Sequence, residues 1–403
     1  MQSPSPAPKR HVLVALGWYD PRFLEGIGRC ARECHWHLAS RPLLEASDPG
    51  EWQGDGLLVN DTETPRLAPF IERQLGRQPT VLFGANHGAH PFPSVEEDNR
   101  GCGRVAAEHF LDRGYRNFAW LSIGRGRVER ERREGFLETL TAAGKTCTLL
   151  EWKKPLGGGG AGWQEFRDWL SEQLTSLPKP VGLFALDDLL ACDAAQACLA
   201  AELRIPEQVA ILGAGNIELA CECSPVPLSS VDLNMAEVAY RAGLALESFM
   251  RHGAPEQARV VVPVLGVVQR QSTDALALTH PGVARAVEFV AAHFARNLSV
   301  DEIAQASGMS LRALHYAFRS ELRRSPAAHL LRVRLEHARR LLTHPGKTIA
   351  QVARESGFSS LRNIHRCFVR ELGISPKALR RTLQGGGNTP PKDTQNTGAR
   401  VFE

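Results

Sequence analysis

Short runs that are apolar at nearly every position recur through the first two thirds of the chain. They are HVLVAL (11–16), GLLVN (56–60), TVLFG (80–84), FAWLSI (118–123), VGLFAL (181–186) and VAILGAG (209–215). A strand without a polar side is buried on both faces, which predicts a parallel sheet covered by helices above and below. Between these runs the apolar residues take helical spacing, predicting amphipathic helices over Phe23–Glu33, Arg104–Arg113, Gly135–Ala143 and Asp188–Leu203. Residues 10–272 therefore read as a doubly wound α/β body, long enough for two linked lobes.

After a linker over 273–282 the pattern becomes helical throughout, and residues 283–383 contain an internal repeat. Ser310, Leu314, Phe318, Glu321, Leu322, Ser325 and Pro326 return as Ser360, Ile364, Phe368, Glu371, Leu372, Ser375 and Pro376. Each repeat reads as helix, turn, helix. Ser299 and Thr348 cap the first helices, and Gly308 and Gly357 sit in the turns, where a left-handed backbone suits glycine. Leu311, Leu314, Phe318 and Leu322, matched by Leu361, Ile364, Phe368 and Leu372, form the stripe expected to be buried. The other face carries Arg312, His315, Tyr316 and Arg319 after Ser310, and Arg362, Asn363, His365 and Arg366 after Ser360. These side chains have the donor and acceptor chemistry to read base edges in a major groove.

Charge sharpens that picture. The whole chain of 403 residues is only +4, but residues 283–383 hold 18 Lys and Arg against 7 Asp and Glu. That leaves +11 on the repeat region and −7 on everything else, the layout of a polyanion-binding module joined to an acidic body. A helical bundle with a basic surface would share the charge but not the repeated turn-plus-helix pattern.

Other classes lose support. No apolar run approaches the roughly 18 residues of a membrane span, and the start MQSPSPAPKR lacks the layout of a secretory signal. Nine cysteines without a repeated C-x-x-C spacing point to free thiols in a cytoplasmic protein. There is no G-x-S-x-G, no H-E-x-x-H, and the run Gly157–Gly160 is not followed by G-K-[ST]. No cofactor, metal site or catalytic residue is expected. Residues 1–9 and 384–403, rich in Pro, Ser and Gly, read as disordered ends.

The last hundred residues resemble the DNA-binding domain of the AraC/XylS transcription regulators. The resemblance lies in LSVDEIAQASGMSLRALHYAFRSEL, the linking RVRLEHARRLL, and TIAQVARESGFSSLRNIHRCFVRELGISPKALRR. The α/β portion is similar to the sugar-binding domains of LacI/GalR regulators and periplasmic binding proteins. YDPRFLEGIG, EEDNRG, LDDLLACDAA and ILGAGN carry that likeness. A two-lobed periplasmic-binding-protein-like body followed by an AraC-type domain is similar to the architecture of xylose regulators. The resemblance implies a cytoplasmic, homodimeric transcription regulator that binds double-stranded DNA and a small sugar, a pentose such as xylose favoured, with RNA polymerase as a candidate partner.

Ligands of doubly wound folds lie beyond the carboxyl ends of the strands. The polar residues there are Tyr19 and Asp20, Asp61, Asn86 and His87, Arg130 and Arg132, Asp187 and Asp188, and Asn216 with Glu218. By position, the resemblance implies Asp98, Arg132, Asp187 and Asn216 as partners of sugar hydroxyls, with Tyr19, Asp20 and either Trp18 or Phe23 beside them. Gly215 stands where an acidic residue or Asp is usual, which removes one expected acceptor. Asp98 and Asp187 are equally suited to cap the helices that follow them. Two rival readings remain: a body that only scaffolds dimerisation, and a sugar-processing enzyme, for which Asp187 and Asp188 are the available carboxylates.

Overall fold

The computed structural model describes residues 10–39, 52–60, 68–74, 77–84, 91–124, 126–154, 160–254, 257–275, 277–278, 280–322, 324–342, 346–372 and 374–383. Both expected disordered ends lie outside these residues, as do Asp61, Asn86, His87 and positions 157–159. All six apolar runs are strands, and they form the middle of two separate sheets. The first lobe contains β1 (His11–Leu16), β2 (His37–Ala39), β3 (Gly56–Asn60), β4 (Thr80–Phe83), β5 (Ser94–Glu97) and β11 (Arg259–Val262), in the order β11-β5-β4-β3-β1-β2. The second contains β6 (Asn117–Ser122), β7 (Thr148–Glu151), β8 (Val181–Ala185), β9 (Val209–Ala214), β10 (Ser229–Asp232) and β12 (Gly266–Val268), in the order β12-β10-β9-β8-β6-β7. Every neighbouring pair is parallel except β10 with β12.

The body's helices are α1 (Pro21–Glu33), α2 (Ala68–Gln74), α3 (Asn99–Asp112), α4 (Arg127–Ala142), α5 (Gly160–Ser176), α6 (Asp188–Ala200), α7 (Glu218–Glu222) and α8 (Met235–His252). Helices do not follow their own strand's lobe throughout. α8 packs on α1 in the first lobe, and α3 packs on α4 in the second. The chain therefore crosses between lobes three times, after β5, after β10 and after β11. At the α3–α4 contact a side chain on Gly103 would meet the Arg132 carbonyl at 1.9 Å, and one on Gly135 would meet the Arg100 carbonyl at 2.0 Å. These two glycines let the helices touch backbone to backbone, and that contact seats Arg132.

The strands that pattern reading passes over are short or polar. β5, Ser-Val-Glu-Glu, is buried along its length. Its Glu96 carboxylate is compensated by Arg127 at 2.8 Å and Arg259 at 2.9 Å, and accepts a 2.8 Å bond from Ser94 Oγ. Partners distant in sequence make this strand, not its own alternation.

A 3-10 turn at Gln271–Thr273 ends the body, with Thr273 Oγ1 bonded to Ser229 Oγ at 2.7 Å and to His109 Nε2 at 2.9 Å. Helices α9 (Pro281–His293), α10 (Val300–Ser307), α11 (Leu311–Leu322), α12 (Pro326–Leu342), α13 (Ile349–Glu355), α14 (Leu361–Leu372) and α15 (Pro376–Leu383) follow. They make two small cores. One gathers Val283, Val290, Ile303, Leu314, Phe318 and Leu322, the other Leu335, Leu342, Val352, Ile364, Phe368 and Leu379. Leu311 and Leu361, expected in the buried stripe, are 42% and 53% exposed. They occupy the first turn of α11 and α14, ahead of the point where each helix reaches its core. The buried stripe begins one turn later, at Leu314 and Ile364.

Candidate nucleic-acid interface and interlobe cleft

Each helix-turn-helix unit is assembled by the same local chemistry. Ser299 and Glu302 form a reciprocal capping box at the start of α10, and Thr348 and Gln351 form its counterpart at α13. Gly308 (φ +69°) and Gly357 (φ +76°) take the left-handed turn expected of them. Ser310 Oγ accepts from the Ala313 amide at 3.2 Å, and Ser360 Oγ from the Asn363 amide at 3.1 Å. Both serines thus cap the second helices, whose remaining first-turn N–H groups favour anions.

Beyond those caps, Arg312, His315, Tyr316 and Arg319 on α11 are exposed, as are Arg362, His365 and Arg366 on α14, with Asn363 half-buried. Tyr316 is 79% exposed. Among the described residues, Arg312, Arg319, Arg362 and Arg366 make no ion pair or hydrogen bond, whereas most arginines of the body do. An array of exposed, unpaired guanidiniums on two matched helices can take duplex phosphates as counter-charge and donate to the neutral O6 and N7 acceptors of guanine edges. α12, which bears Arg332 and Arg339, joins the two units as one continuous helix.

The interlobe cleft is arranged differently. Both sheets share the order in which the crevice opens beside the first strand, between β1 and β3 in one lobe and β6 and β8 in the other. Tyr19 stands there 63% exposed. Asp20 is buried and caps α1, accepting from the Arg22 amide at 2.9 Å and pairing with its guanidinium at 2.6 Å. Arg22 Nη1 then reaches across to donate to the Gly215 carbonyl at 2.6 Å and the Asn216 carbonyl at 3.3 Å. Burial alone would lower this guanidinium's pKa, but Asp20, Asp232 and Asp188 hold it above its ordinary value.

Asn216 (φ +52°) donates to Asp232 Oδ2 at 3.0 Å and accepts from Arg270 Nη2 at 3.0 Å. Asp98 caps α3 through the Gly101 amide at 2.7 Å, and Asp187 caps α6 through the Leu190 amide at 2.8 Å. Among the described residues, the second oxygen of each carboxylate bears no hydrogen bond. Arg132 is buried; its guanidinium donates to Asn99 Oδ1 at 2.7 Å and to the Leu186 carbonyl at 2.6 Å, and lies 3.8 Å from Glu97. Phe23 is fully buried against Phe83, so of the two candidate stacking rings only Trp18, 38% exposed, opens to solvent.

Sequence reading missed Arg22, Asn60 and Ser122, and named Asp188 only as a polar residue after its strand and a carboxylate for the enzyme reading. Arg22, one interlobe bridge, follows the D-P helix start and carries no signal that it faces the other lobe. Asn60 ends β3 fully buried; its Oδ1 accepts from the Gly17 amide at 2.8 Å, while Nδ2 has no partner among the described residues. Ser122 ends β6, equally buried, with Oγ unpaired among the described residues. Asp188 is buried, accepting from Ser230 Oγ at 2.5 Å and the Ile217 amide at 2.7 Å; desolvation raises its pKa. All nine cysteines are free, and no group of side chains suited to a metal occurs among the described residues. No helix among them is long and apolar enough to cross a membrane.

Residues 107–273 match the periplasmic-binding-protein-like domain family, and residues 303–382 match a helix-turn-helix domain family. The xylose operon regulatory protein of Escherichia coli (strain K12) is 26% identical over 388 residues, covering 92% of this chain and 97% of the relative. That of Haemophilus influenzae (strain ATCC 51907 / DSM 11121 / KW20 / Rd) is 24% identical over 373 residues, covering 90% and 95%. A solved structure of the xylose-binding transcription activator xylR shares the fold at a TM-score of 0.57 and 23% identity, covering 95% of this chain and all of that one.

Proposed function

We infer that this chain, a periplasmic-binding-protein-like body joined to an AraC-type helix-turn-helix domain, is a DNA-binding transcription regulator that answers to a small sugar. The observation that carries the reading is the pair of matched helices, α11 and α14, presenting unpaired arginines beside His, Asn and Tyr. Its affinity comes from Arg and Lys on phosphates, and its sequence preference from Arg312, His315, Tyr316, Arg319, Arg362, Asn363, His365 and Arg366. Ser310 and Ser360 act through the helix ends they cap.

A pentose such as xylose is the favoured effector, because the relatives that match along nearly the full length are named for xylose regulation. Asn60 Nδ2 and Ser122 Oγ, buried and unpaired at the two switch points, support a polar ligand in the cleft. The free oxygens of Asp98 and Asp187 accept hydroxyls, Tyr19 and Trp18 offer aromatic surface to a sugar ring, and Asp20, Arg132 and Asn216 hold the walls in place. Closure follows because each lobe supplies part of the hydrogen bonding. Two copies of the chain would present four reading helices to paired half-sites, and contact with RNA polymerase would make the regulator an activator. Since it acts on DNA, the chain works in the cytoplasm.

No enzymatic role is assigned: Asp188 is enclosed by Ser230 and the Ile217 amide and Asp187 holds a helix cap with one oxygen, so the two do not face a shared substrate as an acid–base pair. The scaffold reading draws on one fact, that Asp20, Arg132 and Asn216 already have protein partners. A thermal-shift series of purified protein with pentoses and hexoses separates the two. A midpoint that rises with D-xylose concentration as mass action requires supports the sensor, and a midpoint indifferent to every sugar supports the scaffold.

A further inference from the structure

The DNA-binding domain does not hang on a free linker. Its first unit is fastened to the second lobe at Asp112, the last residue of α3. Arg332 reaches Asp112 Oδ2 at 2.6 Å, Arg324 pairs with the same carboxylate, and Arg332 lies 3.7 Å from Glu108. Arg116, just before β6, pairs with Glu321 at 3.3 Å.

The second unit is fastened elsewhere, to the crossover Pro263–Gly266 between β11 and β12. Arg339 Nη2 donates to the Val264 carbonyl at 2.9 Å, and Leu265 packs into the core built around Phe368. This same segment ties the three interlobe crossings together. The Asp98 amide donates to the Val262 carbonyl at 2.9 Å, the Leu265 amide to the Asp232 carbonyl at 2.9 Å, and Asn234 Nδ2 to the Pro263 carbonyl at 3.4 Å. Asp232 is also the acceptor of Asn216 in the cleft.

We propose that Pro263–Gly266 is the lever through which movement of the two lobes reaches the DNA-binding domain, with Arg339 as the positioning residue that couples α12 to it. Hinge motion concentrates its backbone rotation in the few residues that cross between lobes. Here one of those crossings contributes a carbonyl and a leucine to the reader. Arg332 and Arg339 are seven residues apart on α12, roughly 10 Å of helix rise. One holds the helix to the second lobe and the other to the hinge, so a shift of the hinge relative to that lobe tilts α12. A cavity of about 100 Å³, lined by Glu108, Asp112, Leu265, Gly266, Glu336 and Arg339 among others, leaves room for the tilt.

The inference rests on the reading that the lobes respond to a ligand, but one arm of its test does not. Arg22→Ala removes one bridge between the lobes in the absence of sugar and leaves the Arg127–Glu96 pair in place. In the otherwise wild-type chain this change is expected to alter amide hydrogen exchange across residues 326–342 by about threefold or more. With Arg339→Met, which keeps the aliphatic packing, Arg22→Ala should still alter exchange around 209–216 but leave 326–342 unmoved. If α12 responds equally with and without Arg339, or does not respond in the wild-type background, the proposal is overturned.

The second arm uses D-xylose and a duplex selected from a random pool. Arg339→Met should keep the xylose-induced rise in midpoint, while the ratio of duplex affinities with and without xylose falls from about fivefold or more to near one. An unchanged ratio overturns the lever. A wild-type chain indifferent to xylose counts against the effector, and the exchange arm then decides the lever alone.

Discussion

The reading helices and the interlobe cleft are built from the same side chains in opposite states of engagement. On α11 and α14 the arginines stand exposed without counter-ions, while their caps and cores are complete. In the cleft Arg22, Arg132 and Arg270 are each pinned by carboxylates or carbonyls, with Arg132 buried and the other two half-buried. The two states of engagement suit different ligands. A surface left electrostatically incomplete suits a polyanion that arrives with many charges, whereas a cleft whose arginines are already paired admits a small polar ligand through its few unpaired groups, Asn60 Nδ2 and Ser122 Oγ among them, and through exchange of the bonds the arginines now make. That second arrangement makes occupancy of the cleft a change of internal bonding, which a hinge can report.

Removing one arginine from each region should have opposite consequences for folding and for binding. Arg132→Ala leaves the buried Asn99 Oδ1 and the Leu186 carbonyl without their donor and should lower stability by about 2–4 kcal/mol in urea unfolding. Arg312→Ala should leave stability within about 0.5 kcal/mol. On a selected duplex the double variant Arg312→Ala/Arg362→Ala should weaken binding by roughly 2 kcal/mol or more and flatten the salt dependence; fluorescence anisotropy at several salt concentrations measures both.

Acidification probes the contact between the two regions. Burial, with nearby Arg324, Arg332 and Arg113, holds His329 down to about 3, and burial also depresses His109 well below its usual value. Their stabilising contribution is present above about pH 6.5 and is lost as pH falls toward the folded values. Asp112 acts in the opposite sense. Burial raises it to about 6 against the pull of Arg332 and Arg324, so its contribution is greatest in acid and fades as pH rises through that value. From pH 7 to 5 His329 alone should cost about 2 kcal/mol, and hydrogen exchange within α12, corrected for intrinsic rate, should show the loosening. The smallest effects are the caps: Ser299→Ala and Thr348→Ala should each cost about 1 kcal/mol, and unequal costs would mean that the two units are not built alike.

Much of the reader was legible because its chemistry is local. In each unit the cap (Ser299 or Thr348), the turn (Gly308 or Gly357) and the stripe through Phe318 or Phe368 lie within about twenty residues of one another. Leu311 and Leu361 misled because helical periodicity does not say where along a helix the core begins. In the body, runs apolar on both sides identified the central strands, but β5 was hidden, since Glu96 is tolerable in a sheet only with Arg127 and Arg259 beside it. The cleft was legible only in part. Residues after strands, and the local caps at Asp98 and Asp187, could be read from neighbouring residues, yet that Arg22 spans to Gly215 depends on crossings that bring together segments nearly two hundred residues apart.

The most direct test of the whole account is the affinity of the full chain for a duplex selected from a random pool, measured between about 50 and 200 mM salt with and without D-xylose. The account predicts binding that weakens steeply with salt and shifts several-fold on adding xylose. A chain that retains no duplex even at the lowest salt, or one whose retention ignores both salt and sugar, would contradict it.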